Sequence, residues 1–141
     1  PVVAIMVNKL LKEMEPEKAA EFDQMPLGAI ATDLLSNDMI FVFIAYQDGE
    51  KPIGLVTMHQ CAALYAGGIF GEIAELYVER EHRNGTIGKG LLNAAAAFGR
   101  ERNWKRLEVG APDAKRWQKT IQFYLGCGFD EIGPRLRLNL N

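Results

Sequence analysis

A glycine- and lysine-bearing turn between an apolar strand and a helix is the part of this sequence best suited to chemistry. It lies in the stretch from Glu72 to Leu92, where glycines and a lysine follow a run of apolar residues. The first turn of a helix leaves backbone N–H groups unpaired and carries the positive end of the helix dipole. Glycine lets the backbone approach a ligand closely. The turn therefore predicts a cradle for phosphates, with a diphosphate-bearing cofactor as the first hypothesis.

Ionisable side chains lie on the predicted elements around this turn, among them Glu72, Glu75, Glu108 and Tyr124. Glu72 and Glu75 share a predicted strand, but their odd spacing points them to opposite faces unless a bulge intervenes. A carboxylate with a pKa of about 4 is a poor base toward an ammonium near 10, unless burial raises the pKa or water relays the proton. A solvated charge on a strand face is the plain alternative for each glutamate.

The histidines and cysteines show no metal-binding spacing. Cys61 and Cys127 are too few and too far apart in sequence for a metal cluster of their own, and they are interpreted as reduced, buried thiols. His59 lies on a predicted strand and His82 in the phosphate turn, and neither has a third ligand near it in the sequence. The sequence predicts no metal site.

Size and composition favour one domain over residues 1–141. The 141 residues are 48% hydrophobic, enough for a sizeable core. With 16 basic against 18 acidic side chains, the chain has no global attraction to nucleic acid or to an anionic membrane. No apolar run approaches the roughly 20 residues that cross a bilayer, so a cytoplasmic location is expected.

Helical spacing recurs over the first 35 or so residues. Apolar residues follow it on both sides of Pro16, at Val7, Leu10, Leu11, Met14, Ala19, Ala20 and Phe22. This spacing predicts two helices, with room for a strand before them. From Met39 the pattern becomes β-rich to Tyr46, and the turn Asp48-Gly49 leads to a second strand from Ile53 to Leu64. Such a turn between two apolar runs predicts a hairpin.

The remaining elements follow from periodicity. A third strand from Glu72 to Val78 completes an antiparallel meander, and a helix is predicted from Ile87 to Arg102. A short strand at 106–110, a helix from Asp113 to Tyr124 and a closing strand from Arg135 to Leu140 follow. The strand, helix, strand unit in the middle should be parallel with a right-handed crossover.

These residues together resemble the Gcn5-related N-acetyltransferase (GNAT) superfamily over about residues 40–140. Its members transfer an acetyl group from acetyl coenzyme A (acetyl-CoA) to an amine. The resemblance rests on the order and spacing of four segments, found at 75–78, 83–92, 107–109 and 123–129. It implies an α+β fold with a mixed, mostly antiparallel central sheet that is splayed at the cofactor site and flanked by helices.

The same resemblance implies the cofactor site. Backbone groups of Leu76 and Val78 would pair with the pantetheine arm, and amides from Asn84 to Gly90 would hold the diphosphate. The residues that this similarity assigns to acetyl-CoA are Leu76, Tyr77, Val78, Arg83, Asn84, Gly85, Thr86, Ile87, Gly88, Lys89 and Gly90. Thr86 stands where the family pattern has glycine, so its side chain would either intrude on the pyrophosphate or donate a hydrogen bond to it.

The catalytic roles are also implied by the resemblance. Tyr124 matches the tyrosine that acts as general acid toward the coenzyme A sulfur. Glu72 matches the base of the histone-type branch and ranks first, before Glu75 and Glu108, the last of which matches the base of ribosomal-protein N-terminal acetyltransferases. Trp117 stands where the family often has a cofactor-binding Asn, so that role is not transferred.

The expected activity is N-acetyl transfer to a small-molecule or peptide amine by direct attack in a ternary complex. The alternative is a non-catalytic acyl-CoA-binding or regulatory module with the same fold. A P-loop nucleotide site is disfavoured, because the Gly-four residues-Gly-Lys-Ser/Thr spacing is absent. Apolar residues of the middle strands and of the closing segment, Leu136, Leu138 and Leu140, could complete a homodimer.

Overall fold

The computed structural model describes residues 1–83, 85–110, 117–133 and 135–140. The chain forms two compact units, residues 1–108 and 109–141. Among the described residues, no helix has both the length and the apolar character needed to cross a membrane.

Three helices precede the sheet: α1 (Val2–Met14), α2 (Ala19–Gln24) and α3 (Leu27–Ser36), with a short 3-10 turn at Pro16–Lys18. The expected helical start is confirmed, although three helices stand where two were predicted. The strand that could have preceded them is wrong, because α1 begins at Val2. Its valines, Val2 and Val3, pack beside buried Met6 and Val7. Burial of one helical stripe outweighs the weak β preference of two successive valines.

Strands β1 (Phe41–Gln47), β2 (Lys51–Ala63) and β3 (Gly68–Val78) form the predicted antiparallel meander. The first turn holds Asp48 and Gly49 at φ 53° and 76°, left-handed values that these two residue types tolerate.

The fourth strand, β4 (Leu107–Val109), follows β3 in the sheet order β1-β2-β3-β4. The Lys105 amide donates to the Ile69 carbonyl at 2.9 Å, and the Gly71 amide donates to the Arg106 carbonyl at 3.0 Å. Because both partners advance together along the chain, the pairing is parallel. The mixed, mostly antiparallel sheet of an α+β fold is confirmed.

Helices cover both faces of the sheet. On one face, Met6 and Val7 of α1 pack in a core cluster with Leu55 and Tyr77. On the other, α4 (Ile87–Glu101) buries Leu91, Leu92 and Ala95. The helix lies so close to β2 that a Cβ placed on Gly54 would be 3.2 Å from a Leu91 methyl carbon. The predicted central helix is therefore confirmed, and glycine at position 54 allows its close packing.

The second unit contains α5 (Gln118–Gly126). Within this unit the Tyr124 ring packs against Phe123 and Phe129, with ring centroids 5.5 and 5.3 Å apart. The helix was expected to begin at Asp113, which lies outside the described residues. Gly128, with φ 97°, ends the helix in a left-handed conformation that suits glycine.

The closing strand predicted from Arg135 to Leu140 is wrong, because the structure describes these residues and assigns no strand to them. Leu136, Leu138 and Leu140 are 93%, 84% and 89% exposed. Alternation stabilises a strand only when one face is buried and the backbone is paired. An alternating sequence pattern supplies neither a surface to cover one face nor a partner strand for the backbone.

Candidate active site

The end of β3 presents its backbone in two directions. The Glu79 amide donates to the Ile53 carbonyl of β2 at 2.8 Å. Because the lateral direction of backbone groups alternates along a strand, Tyr77 also turns its groups toward β2. Those of Leu76 and Val78 point away from it, and the Val78 carbonyl accepts a hydrogen bond from Arg83 Nε at 2.8 Å. An extended ligand could thus pair with Leu76 and Val78 as an added strand.

A bulge at Ala74 brings two candidate bases together. Met58 pairs with Ile73 and Thr57 pairs with Glu75, so Ala74 is the extra residue. Glu72 pairs with His59, which is two residues from Thr57 and therefore on the same face of β2. Cross-strand partners share a face. The bulge thus places Glu72 and Glu75 on one face of the sheet, the arrangement that their spacing alone made conditional.

Glu75 is fixed by a buried threonine. The Thr57 hydroxyl donates to the Glu75 carboxylate and accepts a hydrogen bond from the Glu75 amide at 3.1 Å. Thr57 is only 1% exposed, while Glu75 is half-buried. A carboxylate held by a buried donor keeps one orientation and loses less entropy when it receives a proton from a ligand.

Glu108 is paired differently. Its carboxylate is 2.6 Å from Arg106 Nη2, and the Tyr65 hydroxyl donates to it at 3.1 Å. The ion pair and the phenol hold the Glu108 carboxylate in place beside β4.

The predicted phosphate turn opens α4. Thr86 is the N-cap residue, with no hydrogen bond from its side chain to the helix, and its carbonyl accepts from the Gly90 amide at 2.9 Å. The exposed residues of this turn are Gly85, Thr86, Lys89 and Gly90, while Ile87 and Gly88 are half-buried. Asn84 lies outside the described residues. The helix has 15 residues, so its dipole is fully developed at this end.

Arg83 ties this turn to α1. Its guanidinium donates to both Glu13 oxygens at 2.7 and 2.8 Å, and it lies 5.4 Å from the centre of the Tyr77 ring. The hydrogen bond from Arg83 lowers the pKa of Glu13. Burial, with a smaller effect from a hydrogen bond to Glu79, raises the pKa of Tyr77 to about 12. These contacts fix the route of the chain from β3 into the turn.

Tyr124 is 8% exposed in the second unit. Burial, reinforced by Cys127, raises the pKa of its phenol to about 12. The phenol is therefore protonated at neutral pH and can donate a hydrogen bond.

His59, Cys61 and Glu72 lie together on the face that carries Glu75. One donor atom from each, a ring nitrogen, the sulfur and a carboxylate oxygen, lies within 4.8 Å of the others. The sequence did not reveal this group because Glu72 lies on β3, whereas His59 and Cys61 lie on β2. The signal that could have found it is the i, i+2 spacing of His59 and Cys61 combined with the hairpin register.

A surface pocket of about 440 Å³ adjoins this group. Its size is within the usual range for small-molecule sites. The lining residues come from the end of α3, the segment after it and β2: Leu34, Asp38, Met39, Ile40, His59 and Gln60.

Comparisons with known proteins identify the family of the chain. The family model described as "Acetyltransferase (GNAT) family" matches residues 6–129. No curated protein sequence matches the chain.

Solved structures share the fold at low sequence identity. A GCN5-related N-acetyltransferase from Ralstonia eutropha JMP134 is 18% identical with a TM-score of 0.81, over 99% of this chain and 92% of that one. An aminoglycoside acetyltransferase from an uncultured soil metagenomic sample is 19% identical with a TM-score of 0.80, over 99% and 91%. A ribosomal-protein-alanine N-acetyltransferase from Brucella melitensis biovar Abortus 2308 is 22% identical with a TM-score of 0.65, over 96% and 93%.

Proposed function

Because this chain belongs to the acetyltransferase (GNAT) family, we propose that it is an enzyme that moves an acetyl group from acetyl-CoA to a primary amine. The amine attacks the thioester directly in a ternary complex, without a covalent acyl-enzyme. The observation that carries this proposal is the outward-facing backbone of Leu76 and Val78, followed along the chain by the N-terminus of α4.

The cofactor would bind along this path. The pantetheine arm carries two amide groups, which pair with Leu76 and Val78 as an added strand would. The diphosphate then reaches the first turn of α4, where backbone amides and the helix dipole favour negative charge. Lys89, exposed in that turn, adds a positive charge.

The base would be Glu72, Glu75 or a water between them. Both are half-buried on one face of β3, and Thr57 fixes Glu75. Two carboxylates on one face also favour binding of the ammonium form of the acceptor, and each can take its proton through water before attack. Among the candidate general bases we rank Glu72 first, then Glu75, then the ion-paired Glu108.

Tyr124 would stabilise the departing sulfur by a hydrogen bond. Full proton transfer from a phenol of pKa about 12 to a thiolate of ordinary pKa about 8.5 is uphill by about 3.5 units, or roughly 5 kcal/mol. Donation of a hydrogen bond needs no such transfer and still lowers the charge on the sulfur in the transition state. The phenol acts as a general acid only if the bound cofactor lowers its pKa.

The acceptor would enter through the pocket that His59 shares with Asp38. The Asp38 carboxylate favours a cationic amine, and His59 pairs across the sheet with Glu72. Two proteins of similar fold are an aminoglycoside acetyltransferase and a ribosomal-protein-alanine N-acetyltransferase. The first acceptors to test are therefore polyamino sugars and peptides with N-terminal alanine.

Thiol release from acetyl-CoA over a panel of these amines tests the activity, and mass spectrometry of the acceptor shows N-acetylation. We expect release that depends on both acetyl-CoA and amine. Glu72→Gln and Glu75→Gln should each lower kcat more than Glu108→Gln does, by about 100-fold if one of them is the base. Unchanged kcat in both variants would reject Glu72 and Glu75 as the base, and unchanged kcat in Glu108→Gln as well would mean that the amine binds already deprotonated.

A non-catalytic acyl-CoA-binding module is the second candidate, favoured by Thr86 in place of the pattern's glycine at the N-terminus of α4. Calorimetry with acetyl-CoA separates the two functions. Binding without thiol release across the amine panel would support the module. Absence of binding would reject both the enzyme and the module.

A further inference from the structure

We propose that His59, Cys61 and Glu72 bind a thiophilic divalent transition-metal ion, Zn²⁺ in the first place. The site lies on the face of the β2–β3 pair that also carries Glu75. It is separate from the backbone edge and the helix terminus assigned to the cofactor.

The distances suit a single ion. The three donor atoms lie within 4.8 Å of one another. Zinc binds sulfur at about 2.3 Å and nitrogen or oxygen at about 2.0 to 2.2 Å, so tetrahedral ligands are about 3.5 Å apart. Rotation of half-buried side chains can supply the remaining change of roughly 1 Å without movement of the strands.

The sheet holds the three residues in position. His59 and Cys61 are two residues apart on β2 and therefore share a face, and Glu72 lies directly opposite His59 on β3. Met58 and Ile73, next to them in the ladder, are buried in the core at 0% and 2% exposure. Ligands on paired strands with a packed opposite face are preorganised, which lowers the entropic cost of binding.

The donor set selects the kind of metal. Thiolate and imidazole favour zinc and other late transition metals, whereas Mg²⁺ and Ca²⁺ require oxygen ligands. Three protein ligands leave a fourth position for water or another ligand, as in zinc sites that exchange ligands. His59 also lines the surface pocket, which offers the ion a path from solvent.

Occupancy of this site would oppose acetyl transfer, because a metal-bound Glu72 cannot take a proton from the acceptor. This consequence rests on the proposed function, but the site itself does not. Metal binding is therefore tested without acetyl-CoA or amine, so that its failure and the failure of the transferase proposal are distinguishable.

Cobalt titration of the untagged, reduced full chain provides the test. Co²⁺ replaces Zn²⁺ in such sites and gives an intense thiolate-to-cobalt charge-transfer absorption when a cysteine is a ligand. We expect one Co²⁺ per chain, this absorption, and its loss when Zn²⁺ is added. Absence of the absorption at saturating Co²⁺ would overturn the proposal.

The chain offers a matched control for two of the ligands. Cys61→Ser should abolish the charge-transfer band, and His59→Gln and Glu72→Gln should weaken Co²⁺ binding by at least about 100-fold, the upper range for loss of a supporting residue. Cys127→Ser and His82→Gln should bind as the unmodified chain does. A band that persists in Cys61→Ser, or that disappears in Cys127→Ser, would contradict the assignment.

Alkylation of the unmodified chain tests the same site without a substitution that could impair folding. A thiol-alkylating reagent is added with and without Zn²⁺, and peptide mass spectrometry measures modification at each cysteine. We expect Zn²⁺ to slow alkylation of Cys61 at least about 10-fold, since a metal-bound thiolate is a poorer nucleophile, while Cys127 serves as an internal control. Equal rates at Cys61 with and without Zn²⁺ would reject the site.

Discussion

Two of the candidate bases, Glu75 and Glu108, differ in the partners that hold them. Glu108 shares its charge with Arg106 and accepts from Tyr65, whereas Glu75 receives its hydrogen bond from a neutral hydroxyl. The residue type alone does not distinguish these two glutamates, but their partners do.

Removal of the Tyr124 hydroxyl tests its catalytic role. We expect Tyr124→Phe to lower kcat by about 100-fold with a smaller change in KM, because the hydrogen bond to sulfur strengthens as charge develops. The buried ring packing against Phe123 and Phe129 is retained. Steady-state thiol release measures the effect, with Tyr46→Phe, at a 49% exposed tyrosine, as control. Equal kcat in Tyr124→Phe and the unmodified chain would reduce the tyrosine to a packing role.

Thr86 is best tested by substitutions that separate its hydroxyl from its methyl group. Its side chain is exposed and makes no hydrogen bond that caps α4, so the hydroxyl is available to a phosphate oxygen. We expect Thr86→Val to weaken acetyl-CoA binding by about 1 kcal/mol, the usual value of one hydrogen bond, and Thr86→Ser to retain it. Calorimetry measures both. Tighter binding by Thr86→Gly would show instead that the side chain intrudes.

The bulge in β3 turns a strand of ordinary appearance into the centre of the site. Ala74 is the residue that it absorbs, and this restores Glu72 and Glu75 to one face. Beyond it, Leu76 and Val78 keep their backbone directed away from β2. A single extra residue thus separates the side-chain face, where bases lie, from the backbone edge, where the cofactor would pair.

The fit of α4 on the sheet predicts a stability effect. A Cβ on Gly54 would lie 2.9 Å from the Tyr77 carbonyl oxygen and 3.2 Å from Leu91 Cδ1. We expect Gly54→Ala to destabilise the chain by about 1 to 3 kcal/mol, the usual cost of overpacking. Gly28→Ala is the control, because a Cβ there has open space, so alanine at this position of α3 should not destabilise the chain. Denaturant unfolding compares them. Equal stability of the two variants would contradict close packing at Gly54.

Local sequence patterns were sufficient to predict an element whose formation depends on its own residues. The Asp48-Gly49 turn, the apolar run of β3 and the helical spacing of α4 each carry their own signal, and the structure confirms all three elements. The bulge is different, because alanine has no special preference for such a position. It becomes apparent only from the pairing of Thr57 with Glu75.

Features that depend on two separated segments were not predictable from either one. His59 and Cys61 lie 11 or more residues before Glu72, and only the β2–β3 register brings the three together. The closing segment failed for the related reason that alternating leucines specify a face but no partner strand. Register and pairing are properties of the folded sheet.

Ion pairs link α1 to the segment that leaves β3. Lys9 lies 2.8 Å from Glu79, and Glu13 lies 2.7 Å from Arg83. Glu13 is 22% exposed and Glu79 15% at their side chains, so these pairs are partly sheltered from solvent. The N-terminal helix therefore helps to hold the chain that enters the phosphate turn.

This linkage predicts a pH dependence of stability. The pKa of Glu13 lies below its ordinary value of 4.5 in the folded chain, chiefly through the hydrogen bond from Arg83. Its contribution is therefore present above the unfolded-state pKa and is lost as the pH falls through the lower folded-state value. We expect Glu13→Gln to destabilise the chain most near pH 7, with the difference from the unmodified chain shrinking as the pH falls through the lowered pKa of Glu13.

Chemical denaturation at a series of pH values measures this difference in the free energy of unfolding. Glu21→Gln, at an exposed glutamate of α2, is the matched control and should give a much smaller difference at every pH. A loss of stability in Glu13→Gln that stays constant as the pH falls into the acidic range would show that Glu13 acts through packing, because only a charge interaction disappears when the carboxylate is protonated. A difference in unfolding free energy that becomes smaller as the pH falls would instead make the Glu13–Arg83 pair the electrostatic connection between α1 and the cofactor turn.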